Sequence, residues 1–404
     1  MFDLLNPFTP SQIASQPNEF YGREKELRII ERSLNQGSIA IMGTIGIGKS
    51  SLLARSRLLM EGFQSLHNCK TICVVGNKDI QSVDQAARLV LEEFVSVDET
   101  SKKIKVNLGS IIEFEENEIF KYFVEGRHLS ALQRILVAEN QRLVADGIEY
   151  LIIAFDEADK CPIPLAHLVR TISTYAEQNG IKNIRFILVG VVPFLNNIIK
   201  EDPGISRFFY KTLTLKRMDP DDSDNLIRSK LREVEDDANK NKMKLEINYS
   251  DVTNCILRLS SCHPHLMQLL GSYCIEKEME EPDEIIDIRN IIGSLKTICY
   301  QDRSYIYESM IHFLQINEML EYFTTLIDAA DNYFPTQISK KKAVDLVGVD
   351  ILQWLIVNNF LESFDDYYGL TDEFLRIRLI LDEDSSYSEN DIITGATEDY
   401  FLNT

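Results

Sequence analysis

Between Ile41 and Leu53 the chain reads IMGTIGIGKSSLL, with three glycines, a lysine and two serines set between apolar flanks. No other segment constrains the fold so tightly. Residues Gly43, Thr44, Ile45, Gly46, Ile47, Gly48, Lys49 and Ser50 fit the pattern GxxxxGK[ST] in full. The glycines let the backbone curl so that successive N–H groups converge, and a helix beginning near Lys49 adds the positive end of its dipole. Such a loop needs a strand to deliver it and a helix to leave by. SIAIMG before it and GKSSLLARSRLLMEGF after it supply both, which separates a phosphate cradle from an ordinary glycine-rich turn.

The alternation continues along the chain. TICVVG reads as a strand, SVDQAARLVLEEFVSV as a helix, and an acidic stretch runs from Glu113 to Glu118. HLSALQRILVAENQRLVADG is a helix leading into YLIIAF, an unbroken apolar strand of the kind buried on both faces. AHLVRTISTYAEQNG and IRFILVG repeat the order, and KTLTLKRM follows as a last strand. Strands separated by helices predict an α/β fold with a parallel sheet covered on both sides. Ahead of this run, Pro7, Pro10 and Pro17 make the first twenty residues irregular, and EFYGREKELRIIERSLNQG is a turn and an amphipathic helix ending at Gly37.

Beyond KTLTLKRM the strands stop. DPDDSDNLIRSKLREVEDDANK and SDVTNCILRLSSCHPHLMQLLGSYCIEKEM predict helices with Asp and Ser caps and a His-Pro turn. From about Asp287 a third region is helical to about Asp331. SKKKAVDLVG and VDILQWLIVNNF then give short helices, and LESFDDYYGLTDEFLRIRLIL gives two short strands around a turn, the order of a winged helix. After Leu381 the chain holds Asp382, Glu383, Asp384, Glu389, Asp391, Glu398 and Asp399 without a lysine or arginine, and reads as a mobile acidic tail. The expected division is residues 1–218, 219–286, 287–381 and 382–404.

Composition narrows the function classes. No apolar run approaches the roughly 20 residues of a membrane span, and the N-terminus lacks a basic segment ahead of an apolar one. A cytoplasmic protein without membrane contact is expected. The seven cysteines are scattered, and the cluster Cys262, His263, His265 lies on a helix start where neighbours point apart, so reduced core thiols are expected and a metal centre of Cys and His is not. A net charge of −21 excludes a surface that embraces nucleic acid as a whole, leaving room for a local basic patch.

The chemistry follows from the loop and a second element. In a phosphate-binding loop Lys49 reaches the β and γ phosphates and the Ser50 hydroxyl ligates Mg²⁺. YLIIAFDEADK ends its apolar run in Asp156 and Glu157, at the carboxyl edge of a buried strand where open α/β sheets bind ligands. Asp156 is expected to hold Mg²⁺ through water and Glu157 to act as general base on the attacking water, a helix cap being the plainer alternative for the pair.

With these residues the chain, from about Phe20 to Cys274, resembles the additional-strand (ASCE) P-loop ATPases of the AAA+ and STAND type, close to archaeal-type ATPases, origin-recognition initiators and transposition-regulator ATPases. The resemblance implies a five-stranded P-loop core, a helical lid and a C-terminal winged helix, with ATP or ADP and Mg²⁺ as cofactors. FYGREKEL is similar to the family's opening motif, which implies that Tyr21, Gly22 and Arg23 lie beside the adenine. The loop implies nucleotide contacts from Gly43, Thr44, Gly46, Ile47, Gly48, Lys49, Ser50 and Ser51. DPGISRFFYKTLTLKRMD implies that Arg207 is an arginine finger for a neighbouring subunit's nucleotide, with a surface ion pair to Glu201 or Asp202 as the alternative. SSCHPHLMQLLG implies that His263 and Pro264 lie near the β or γ phosphate, with helix capping as the alternative for His263.

Two departures from the family pattern stand out. Cys262-His263-Pro264 lacks the usual lid glycine, and no arginine occupies the second sensor position. IRFILVG runs into Gly190, Val191 and Val192, where many relatives place a polar residue that senses the γ phosphate. A slow ATPase that holds ATP as a switch is expected, one that oligomerises and regulates or recruits a protein effector, as relatives do in prokaryotic antiviral defence. The alternative is a DNA-binding ATPase of the initiator or transposition-regulator type. Against DNA, the second short helix is apolar and carries Asp350, and the wing carries Glu362, Asp365 and Asp366; Lys340, Lys341 and Lys342 are the local basic run.

Overall fold

A computed structural model describes residues 4–17, 19–62, 68–98, 103–106, 121–191, 194–330, 333–380 and 389–397. The chain divides into two units: a sheet unit, Ile13–Gly43 with Gly48–Leu215, and a helical unit, Met1–Gln12, Thr44–Ile47 and Lys216–Thr404.

The sheet unit is built on β1 (Ser38–Met42), β2 (Cys69–Val75), β3 (Tyr150–Asp156), β4 (Ile184–Gly190) and β5 (Phe209–Thr214). All neighbours pair in parallel, in the order β2-β3-β4-β1-β5. Leu151 to Phe155 are fully enclosed, as their unbroken apolar run requires for a strand packed on both faces. Helices α1 (Glu24–Ser33), α2 (Lys49–Met60), α3 (Val83–Phe94), α4 (His128–Ala145), α5 (Pro162–Gln178) and α6 (Phe194–Glu201) connect and cover the strands. Ala87, Val90, Leu91, Leu132, Ile135, Leu165, Val169 and Ile172 from α3, α4 and α5 join Ile153, Phe155 and Leu188 in one core. The expected five-stranded parallel α/β core is borne out. Because β1 lies between β4 and β5, the chain must leave it in a crossover, and its carboxyl end opens at a switch point of the sheet.

One boundary differs from the sequence reading. The helix expected through Val97 stops at Phe94, and Val95–Asp98 pairs antiparallel with Lys103–Val106. Val95 and Val97 are β-branched and favour the extended backbone over continuation of the helix. The acidic stretch Glu113 to Glu118 lies outside the described residues.

The helical unit contains α7 (Pro220–Lys240), α8 (Tyr249–Ser260), α9 (Pro264–Glu280), α10 (Ile288–Lys296), α11 (Ser304–Ile316), α12 (Leu320–Ala329), α13 (Lys340–Val347), α14 (Val349–Val357), α15 (Glu373–Ile380) and α16 (Glu389–Thr397). Aspartate or asparagine begins several of them: the Asp219 and Asn248 side chains accept from Asp221 and Asp251 N–H groups, and Asp287 closes a capping box with Asn290. Short strands also occur here, contrary to the helix-only expectation for residues 219–286: Glu246–Ile247 pairs in parallel with Ile285–Ile286. Near the C-terminus, Tyr367–Leu370 lies between Ile338–Ser339 and Leu361–Ser363 and pairs antiparallel with both.

The stretch expected to be a mobile acidic tail includes α16, whose Ile392 and Ala396 are buried. The helix packs on α8 and α10, and the Gly395 carbonyl accepts from the Phe334 N–H at 3.1 Å. Two apolar residues four positions apart share one face, and that face, rather than the acidic composition, decides the conformation.

Candidate functional site

The phosphate loop begins where β1 ends. Gly48 is the N-cap of α2 at φ 93°, and Gly46 lies at φ 77°, a left-handed region that costs any other residue strain. A Cβ on Gly48 would meet nothing within 4 Å, so its glycine answers to backbone conformation alone. Lys49 opens α2, and its Nζ donates to the Gly43 carbonyl at 3.1 Å. Burial lowers the pKa of this ammonium, and the carboxylates of Asp159, Asp156 and Glu157 act against that shift. Ser50 follows, partly buried, on the first turn, and the Ser51 Oγ accepts from the Ala14 N–H at 3.2 Å.

Asp156 ends β3 at the same edge of the sheet. Its carbonyl accepts from the Gly76 N–H at 2.8 Å, extending the β2–β3 pairing, and its Oδ1 accepts from the Glu157 N–H at 2.9 Å. Glu157 turns the chain in the left-handed region at φ 50° and is exposed. The turn requires the neighbouring glycine, because a Cβ on Gly76 would lie 2.6 Å from the Glu157 carbonyl oxygen. The donor set suits a magnesium nucleotide: glycine-curled amides at a helix start with one ammonium for phosphate oxygens, and a hydroxyl with a carboxylate for a hard cation.

Loop residues Thr44–Ile47 belong to the helical unit. There the Ile45 carbonyl lies 3.0 Å from Nε2 of His263, which is buried. His263 stands at the N-cap of α9, yet its side chain makes no capping hydrogen bond; Pro264 takes the first helical position, where the missing N–H is not needed. His265 places Nδ1 3.1 Å from the Pro10 carbonyl and Nε2 3.2 Å from the Arg303 guanidinium, and burial together with Arg303 lowers its pKa. A Cβ on Gly46 would come within 2.9 Å of both the His263 Cε1 and the His265 Cβ. The turn before His263 carries the departure from the family pattern: Ser261 and Cys262 lie at φ 53° and 55° without a glycine. Their N–H groups donate to the Arg258 and Leu257 carbonyls, which satisfies the end of α8.

Arg23, expected near adenine, is buried at the N-cap of α1 with its NH1 3.2 Å from Glu26, and Tyr21 is partly buried just before it. Arg207 is exposed on the turn Pro203–Phe208 ahead of β5, its guanidinium 4.5 Å from the centre of the Phe208 ring. Asp202 instead pairs with Arg170 at 2.6 Å and accepts from the Gly204 N–H. Among the described residues Arg207 has no ion pair with Glu201 or Asp202.

Two further side chains, neither of them expected from the sequence, fix the ends of these segments. Asp159 Oδ1 accepts from the Val191 N–H at 3.1 Å, just past the end of β4; its only trace in the sequence is the last letter of FDEAD. Arg217, nearly enclosed, donates to Glu362 at 2.8 Å, to the Ser261 carbonyl at 3.0 Å and to the Leu370 carbonyl, tying the hairpin Leu361–Leu370 to the turn that presents His263. Of the basic run near Ser339, Lys340 lies over the Tyr368 ring, while α14 exposes Val349, Gln353 and Val357 on one face.

The parallel order of the sheet, the loop from β1 into α2 and the acidic end of β3 define the P-loop ATPase fold. Solved structures agree. The Walker-type ATPase PABY2304 of Pyrococcus abyssi is similar over 91% of this chain and 98% of its own, at 17% identity and TM-score 0.54. The ORC2 protein of Aeropyrum pernix, solved as ADPNP and ADP complexes, is similar over 96% and 97%, at 12% identity and TM-score 0.52. No protein-family model matches the chain, and no curated protein does. No helix among the described residues is long and apolar enough to cross a membrane.

Proposed function

We propose that the protein is a Mg-ATP-dependent molecular switch with slow ATPase activity. The observation that carries this reading is the meeting of Lys49, on its curled glycine loop, with Asp156, Glu157 and Asp159 at one edge of the sheet. The loop amides from Gly43 to Ser51 and Lys49 hold the phosphates, Ser50 and Asp156 hold Mg²⁺, and Tyr21 and Arg23 flank the base. Mg²⁺, when bound, draws charge from the phosphate oxygens. Glu157 takes the proton of the attacking water, and its exposure leaves it open to that water. His263, on the Ile45 carbonyl, reports the state of the loop to its own unit. Arg207, exposed and without a carboxylate partner among the described residues, completes a neighbouring copy's site in a homo-oligomer. The segment from about Tyr322 to Leu381 is a winged helix that meets a protein effector, as in prokaryotic antiviral defence. The helix α14, which exposes Val349 and Val357, carries Asp350 and has no lysine or arginine, supports a protein in preference to DNA.

Size measurement of the native, Lys49→Ala and Glu157→Gln proteins with and without ATP tests the reading. Native protein is expected to assemble with ATP, Lys49→Ala to stay unassembled, and Glu157→Gln to stay assembled without consuming ATP. Unchanged ATP consumption in Glu157→Gln refutes the catalytic assignment. The likeness to an origin-recognition protein favours a second reading, a DNA-binding initiator-type ATPase. Duplex binding that falls steeply with salt and is lost in Lys340→Glu would establish it.

A further inference from the structure

The helices α11 to α14 carry an uneven share of the exposed apolar surface. Of eighteen large apolar side chains exposed among the described residues, eight lie on these four helices, Phe313, Ile316, Tyr322, Val349 and Val357 among them. The end of α11, the start of α12 and α14 border a groove of about 820 Å³, lined in part by Met319, Leu320, Tyr322 and Ile351. From the same helices Phe313 and Trp354 stack with ring centres 5.7 Å apart.

The charge around this groove is of one sign. Glu318 and Glu321 line it, and Asp350 precedes Ile351 in α14. No lysine or arginine occurs from Ser304 to Ser339 or from Ala343 to Leu375. Of the three lysines between those stretches, Lys340 lies over the Tyr368 ring and Lys342 donates to the Ala329 carbonyl. Glu318 is also strained where it stands. It follows α11 at φ 59°, a conformation that suits glycine, while its N–H and that of Met319 close the helix on the Gln315 and Leu314 carbonyls. A carboxylate is thus held at the rim in a conformation that disfavours it.

We propose that the groove receives an amphipathic helix of a partner protein, one whose apolar stripe is flanked by lysine and arginine. The inference rests on the reading of the winged-helix segment as a module that meets a protein, and it names that protein's chemistry. Charge selects the occupant. The apolar lining favours a row of leucine, isoleucine or phenylalanine, and the carboxylates around it favour cations on either side of that row. The same carboxylates repel DNA, an anionic membrane and the identical acidic face of a second copy. No strand among the described residues lines the groove, so an extended peptide finds no sheet edge there to pair with, whereas a helix presents its apolar row at i, i+3, i+4 and i+7.

The probe is a synthetic helix of leucine and lysine about 18 residues long, its leucines on one face, labelled with fluorescein and titrated with the full chain at physiological salt. Two companions are a scrambled peptide of the same composition without an apolar face, and a helix with glutamate in place of lysine. The native protein is expected to bind the leucine-lysine helix roughly 10-fold more tightly than the scrambled peptide, and not to bind the leucine-glutamate helix. Glu318→Lys with Glu321→Lys is expected to weaken binding about 10-fold, the scale of two exposed ion pairs turned into repulsions. Tyr322→Ser is expected to weaken it roughly 3- to 10-fold through lost apolar contact. Glu177→Lys with Asp236→Lys makes the same change of net charge at exposed positions on α5 and α7, and is expected to alter affinity less than about 2-fold. Equal affinity for the ordered and scrambled peptides, or equal losses in the two double variants, overturns the proposal, because binding then answers to net charge alone. It is overturned as well by binding of the leucine-glutamate helix, by unchanged affinity in Tyr322→Ser, or by no binding of the leucine-lysine helix. Duplex DNA bound by the native protein and released by Lys340→Glu rejects instead the reading of the segment as a protein-binding module, so the two failures are distinguishable.

Discussion

Replacing Gly46 by alanine separates two costs that usually come together. At φ 77° an alanine is strained in the left-handed region by about 1–2 kcal/mol. Its Cβ would also lie 2.9 Å from the His263 Cε1 and 2.9 Å from the His265 Cβ. The ring of His263 can give way at the expense of its contact with the Ile45 carbonyl, but a Cβ moves only with its backbone, and His265 is held by Pro10 and Arg303. Overpacking of this kind adds about 1–3 kcal/mol. Gly48→Ala is the control, since φ 93° carries the same strain while no atom lies within 4 Å of its Cβ. Urea unfolding followed by circular dichroism is expected to show Gly46→Ala destabilised by about 2–5 kcal/mol and Gly48→Ala by about 1–2 kcal/mol. Adding His263→Ala to Gly46→Ala relieves only the ring, so the pair recovers part of the excess, with a coupling of about 1 kcal/mol. Equal losses in Gly46→Ala and Gly48→Ala would refute the packing of the two histidines on the loop tip, as would full recovery in the double variant.

Two further perturbations read the helical unit. Arg217→Ala leaves Glu362, shielded on most sides, without its cation, and is expected to cost about 3–5 kcal/mol in urea unfolding, with Arg217→Met combined with Glu362→Met recovering much of it; a loss below about 1 kcal/mol would make the pair a surface contact. Asp372 accepts from the Phe374 N–H, and burial raises its pKa from 3.8 to about 6, with the charge of Glu373 adding and Arg303 opposing. The folded state thus keeps a proton that the unfolded chain has lost between those values, so its contribution is fully present below pH 3.8 and disappears as pH rises through about 6. That interval corresponds to about 3 kcal/mol. Asp372→Asn is expected to flatten the fall in stability between pH 4.5 and 7, and parallel profiles for the two proteins would count against it.

What the sequence discloses here depends on how far apart the participants lie. The phosphate loop is eight consecutive residues whose glycines, lysine and serine each have a local duty, and YLIIAFDE states both a doubly buried strand and the acids at its end. The positions of His263 and Pro264 were legible through the His-Pro helix start, although not the left-handed Ser261 and Cys262, because the usual marker of that conformation, a glycine, is missing. Arg217 and Glu362 are 145 residues apart, and nothing in KRMD or in LESF announces that one will neutralise the other. α16 failed to register for a related reason: in an acidic stretch the buried apolar side chains among the described residues are Ile392 and Ala396, and the helix they belong to packs on α8 and α10. Asp159 is the intermediate case. Its letter sits in a local motif, while its position depends on Gly190 having left room at the end of another strand. A missing side chain in one strand and an extra carboxylate in another were therefore visible separately as a departure and a redundancy, and only the parallel pairing of β3 with β4, and of β4 with β1, makes them complementary.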